Sequence, residues 1–107
     1  MTGRVVMVAY KPKAGEEARL KELLRTHVVR LREEGLATLR EPIIVESASG
    51  YYVEVFEWQS SAAIEAAHSN PAVGQMWQEF AAVCDFVPAA EVPEMANLFS
   101  EFSPVHI

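Results

Sequence analysis

Three residues of this 107-residue chain have side chains that can move a proton within apolar surroundings: Glu54, His68 and His27. Glu54 lies in the run Tyr51 to Trp58, whose alternate positions place Tyr52, Phe56 and Trp58 on its own side of an extended strand. A carboxylate among three aromatic rings is desolvated, which favours its neutral form and suits it to take a proton from a phenol or an activated C–H group. The plainer roles are an ion pair with an arginine across an interface, or a solvated carboxylate if the strand faces the other way. His68 stands just before Asn70-Pro71, where an imidazole can serve a ligand as base or donor, or simply cap the carbonyls of a preceding helix. His27 falls between Leu23 and Leu31 on a helical stripe, which suits a core histidine and equally one lining a pocket over a sheet. Met76, Trp77 and Phe80 read first as helix core; around a cavity, Trp77 and Phe80 make a wall on which a flat aromatic ligand stacks.

Other chemistries lack their residues. Cys84 is the single cysteine, so no intrachain disulfide forms, and it sits on an apolar stripe with no cationic neighbour in sequence to activate its thiol. His27, His68 and His106 are far apart, and no His-x-His, Cys-x-x-Cys, His-Glu-x-x-His or glycine-rich phosphate loop is present. No metal or cofactor is expected. Nine Lys and Arg against 15 Asp and Glu give a net charge of -6, which argues against nucleic acid or an anionic membrane as the partner. The amino terminus lacks the long apolar run of a secretory signal, and no stretch approaches a membrane span, so the cytoplasm is the expected location. Half the residues are apolar, enough for one packed domain over 1–107.

The elements that must position these residues follow from periodicity. Val5 to Tyr10 is apolar throughout and reads as a strand covered on both faces. Leu20, Leu23, Leu24, Val28 and Leu31 trace one stripe of a helix over Glu16–Glu34, closed by Gly35. Leu39–Ser47 and Tyr51–Trp58 form a hairpin around Ala48-Ser49-Gly50, with Pro42 marking an edge or a bulge. A short helix capped by Ser60 or Ser61 runs to about Ser69, and Asn70-Pro71 restarts a second helix whose stripe extends to Val83 and Cys84. Val87 to Pro93 reads as loop, and Met95–Phe102 alternates enough for a last strand. The order β-α-β-β-α-β is that of an α+β, ferredoxin-like domain with a four-stranded antiparallel sheet and helices on one face. In the third strand Val53 and Val55 are expected under the helices, leaving Tyr52, Glu54, Phe56 and Trp58 on the far face. A sheet apolar on both sides with helices on only one predicts a second copy over the other, a homodimer with facing sheets.

Taken together, these elements resemble the dimeric α/β-barrel superfamily, and most of all its antibiotic-biosynthesis-monooxygenase-like (ABM-like) branch. The residues that carry the resemblance are Lys11-Pro12-Lys13-Ala14-Gly15 before an acidic-started helix, the strand Val53-Glu54-Val55-Phe56-Glu57-Trp58, and Ser60 to His68 followed by Asn70-Pro71. The resemblance implies a homodimer with a pocket between sheet and helices in each subunit. Some members oxidise phenolic or anthrone-like polycyclic molecules with molecular oxygen and neither metal nor flavin; others degrade haem. Haem-degrading members use an axial His with an Asn and a Trp; His68, Asn97 and Trp77 supply those types without matching the motif by position, and the roles are not carried over. Three functions follow as expectations: a binder of a small aromatic or polyketide-like molecule that oxidises it without cofactor, with Glu54 and His68 moving protons; a non-catalytic dimeric binding module; and a haem protein. Whether Trp58, Trp77 and Phe80 enclose a cavity or fill it separates the first from the second.

Overall fold

The computed structural model describes residues 2–106. Its sheet has five antiparallel strands in the order β4-β1-β3-β2-β5: β1 Arg4–Pro12, β2 Ile43–Glu46, β3 Tyr52–Trp58, β4 Cys84–Val87 and β5 Ser103–Pro104. Helices α1 Glu17–Glu33, α2 Ser61–Ala67 and α3 Pro71–Val83 complete the α+β architecture. It is compatible with the expected ferredoxin-like plan and adds a fifth strand to it.

Local chemistry explains the boundaries. Glu17 in the first turn of α1 and Arg30 and Arg32 in the last complement the helix dipole. Gly35, with φ +74, takes the left-handed position, and the amide of Leu36 then bonds back to the carbonyl of Leu31 at 2.9 Å. Ser60 Oγ accepts from the amide of Ala63 at the start of α2. Asn70 Oδ1 accepts from the amides of Ala72 and Val73 at the start of α3, with Pro71 in its first turn.

The two faces of the sheet differ from expectation. Tyr52, Phe56 and Trp58 belong to one core cluster with Leu20, Leu23, Leu24, Val28 and Leu31 of α1 and Val73, Met76 and Phe80 of α3, so they lie under the helices with Glu54 between them. Val53 instead packs with Ala9 and Val92 on the outer face. The expected placement of Val53 and Val55 under the helices is therefore reversed. The gap between sheet and helices is deep enough for large rings. The outer face at Val53 is covered only by a thin strap, from which Val92, Met95 and Phe102 pack down.

That strap corrects a second expectation. Met95–Phe102 is not a strand: Met95 lies in a 3-10 turn, Pro93–Ala96, which follows another at Ala89–Glu91. The fourth strand is Cys84–Val87, entered directly from α3, whose stripe ends at Val83 rather than Cys84. It pairs with β1 through Tyr10–Phe86 and Pro12–Cys84. Beyond the strap the outer face stays bare: Val5, Met7 and Ile43 are 57, 56 and 60% exposed. Among the described residues no helix is long and apolar enough to cross a membrane.

Candidate functional site

Between the helices and the inner face lies a cavity of about 280 Å³, lined by Val8, Tyr10, His27, Phe56, Trp58, Trp77 and Phe86. None of these is a lysine, arginine, aspartate or glutamate. The volume stands at the small end of ligand sites, which run from roughly 300 to 1,000 Å³. The aromatic rings thus enclose a space and do not close it.

Its floor is built by three elements. Val8 of β1 stands opposite Glu54 of β3, and Tyr10, two residues on, reaches Glu54 diagonally across the ladder. Tyr10 Oη donates to Glu54 Oε1 at 2.7 Å. His27, brought over the sheet by α1, places Nδ1 2.8 Å from the same oxygen. Glu54 is fully buried, and its Oε2 is the buried side-chain oxygen left without a partner among the described residues. Among the described residues His27 Nε2 has no hydrogen-bond partner, and the His27 ring lines the cavity. Burial pushes the Tyr10 phenol well above its usual range, and the carboxyl of Glu54 adds to the shift. Tyr10 therefore stays protonated and remains a donor.

The rings hold one another by edge contacts. His27 meets Phe56 at 5.3 Å and Phe80 at 5.1 Å between centroids, both edge-on, and Tyr10 stacks on Phe80 at 5.5 Å. This geometry can bind a flat apolar molecule and offer it one nitrogen acceptor, the arrangement of a general base oriented by a carboxylate.

The chain's fold is similar to that of Rv0793 from Mycobacterium tuberculosis. The TM-score is 0.63 and the identity 18%, with 80% of this chain and 89% of that one covered. At that identity the likeness speaks of fold alone. No family model matches the chain, and no curated protein does.

Of the residues singled out in the sequence, His27, Phe56, Trp58 and Trp77 line the cavity, and Glu54 lies beneath its floor, touching it through Tyr10 and His27. Phe80 is fully buried behind Tyr10 and His27. Tyr52 lies outside the lining, buried with the Lys21 ammonium 5.9 Å over its ring. His68 is exposed; its Nδ1 lies 2.8 Å from the carbonyl of Ile64, and its ring meets the edge of Trp77 at 5.4 Å. It is joined to the site only through Trp77. Asn97 lies within the strap on the outer face, across the sheet from Trp77, so the His, Asn and Trp types found in haem-degrading proteins are not gathered.

Sequence reasoning missed Tyr10, Val8 and Phe86. Tyr10 reads as the last apolar residue of a strand, and nothing local marks its hydroxyl as engaged. Phe86 has a signal: in Cys84-Asp85-Phe86-Val87 the alternate residues Cys84 and Phe86 turn inward once the segment is taken as extended.

Proposed function

We propose that this chain is an ABM-like protein that binds a small, uncharged, planar aromatic or polyketide-like molecule in the cavity and oxidises it with molecular oxygen. The observation that carries the reading is the uncharged aromatic cavity lined by His27, a histidine backed by buried Glu54. His27 replaces His68 as the proton acceptor, because His27 lines the cavity and His68 does not. Glu54 acts through it.

On an activated methylene, Nε2 takes one proton and leaves a carbanion stabilised by the rings of the substrate. The carbanion is oxidised by O2 and a C–O bond forms. The O–O bond then breaks, one oxygen staying as the carbonyl and the other leaving as water with the two hydrogens of the methylene. Aromatic walls supply stacking.

The same reading makes the functional unit a homodimer. Val5, Met7 and Ile43 leave an apolar patch on the outer face, and a second copy seated sheet to sheet removes it from water.

Oxygen uptake with an anthrone-type substrate tests the proposal. Wild type consumes one O2 per carbonyl formed, while Glu54→Gln keeps ligand binding and loses most turnover. Saturable binding with no uptake leaves the non-catalytic binding module instead.

A further inference from the structure

We propose that Tyr10 is a positioning residue whose hydroxyl pins Glu54 Oε1 against His27 Nδ1, so that the neutral imidazole presents an unprotonated Nε2 and the cavity takes ligands by a donor group. The preference for a donor rests on the function proposed above. The role of Tyr10 stands on the hydrogen bonds alone.

One oxygen of Glu54 receives both neighbours: Tyr10 Oη at 2.7 Å and His27 Nδ1 at 2.8 Å. The other oxygen is buried with no partner. A carboxylate held on only one oxygen can rotate about its terminal torsion, which is broad for glutamate. Tyr10 limits that rotation from β1 while α1 brings the imidazole from above. With Nδ1–H directed at Oε1, the lone pair of a neutral His27 resides on Nε2, the other nitrogen of a ring that lines the cavity. Stacking on Phe80 fixes the phenol ring in turn, and burial keeps its hydroxyl protonated as a donor. An oxyanion would lose its hydration facing that lone pair, with no lysine or arginine on the lining to offset the loss and only neutral indole N–H donors from Trp58 and Trp77.

Nitrogen NMR of the His27 ring tests the role directly, because tautomers differ in ring nitrogen shifts and packing alone does not set them. Wild type with a neutral ring is expected to show one tautomer, protonated at Nδ1. Tyr10→Phe, which keeps the ring and its stacking, is expected to show a tautomer mixture and to weaken naphthol binding roughly tenfold, the order of one hydrogen bond. An unchanged ring spectrum in Tyr10→Phe overturns the proposal. If that variant does not fold, wild type still decides: a neutral ring protonated at Nε2, or already mixed, overturns it too. Naphthol, methoxynaphthalene and naphthoate separate the two readings. Tighter binding of naphthol than of either analogue supports the donor preference. No binding by any of them, with the ring signature intact, overturns the pocket reading and leaves Tyr10's role supported.

Discussion

His27 Nδ1 lies 2.8 Å from Oε1 of Glu54, joining the middle of α1 to the middle of β3 inside the core. Both side chains are almost wholly removed from water, where an unpaired polar group is costly. The contact therefore serves stability and function together.

Truncating Glu54 exposes the first role. Glu54→Ala leaves the Tyr10 hydroxyl and His27 Nδ1 buried without an acceptor and opens a void beside them. A loss of about 3 kcal/mol is expected. Urea unfolding followed by circular dichroism checks it; a change well under 1 kcal/mol would mean the cluster is solvated.

Trp77 is half-buried at the cavity and makes a contrasting case. Trp77→Ala is expected to cost only about 1 kcal/mol of stability, because α3 keeps Val73, Met76 and Phe80 in the core. Ligand affinity should fall far more than stability does, as stacking is lost. Calorimetry of binding beside a melting curve separates the two effects.

Cys84 is buried at the start of β4, and burial, reinforced by Asp85, pushes its thiol up to about 11. At neutral pH only about one thiol in ten thousand is then ionised. Thiol reagents are expected to leave the native protein unmodified and to label it promptly once it is unfolded. Raising the pH towards that value should speed native labelling, provided the fold persists.

The bare outer face gives a further test. Met7→Glu with Ile43→Lys places charge where 56 and 60% of each residue is exposed in the single chain. Sedimentation should show a dimer for wild type and a monomer for the double variant, with helix content unchanged. A wild-type monomer would contradict the sheet-to-sheet assembly.

Helix α1 and the caps at Ser60 and Asn70 were legible in the sequence because their causes are local: apolar residues three and four apart, a side-chain oxygen at the first turn, a glycine where φ turns positive. The facing of β3 was not. Period two divides Tyr52, Glu54, Phe56 and Trp58 from Val53 and Val55 without saying which set meets the helices, since both are rich in apolar residues. Only the third dimension, a deep helix layer on one side and a thin strap on the other, assigns them. β4 was hidden because no glycine or proline separates Val83 from Cys84, so an apolar stripe runs on past the true helix end. Met95–Phe102 alternates like a strand, yet it crosses the outer face as a strap. Of the site, Glu54 and the aromatic residues showed themselves by type and parity, whereas Tyr10 did so only when a distant carboxylate supplied its partner.

Both tryptophans of the chain, Trp58 and Trp77, line the cavity, which makes them its reporters. The most direct measurement follows their two indole N–H signals by NMR while naphthol is added. A site between sheet and helices predicts that both signals shift together and saturate at one ligand per chain. If both stay still at saturating naphthol, the cavity is not a binding site for aromatic molecules, and the account fails at its centre.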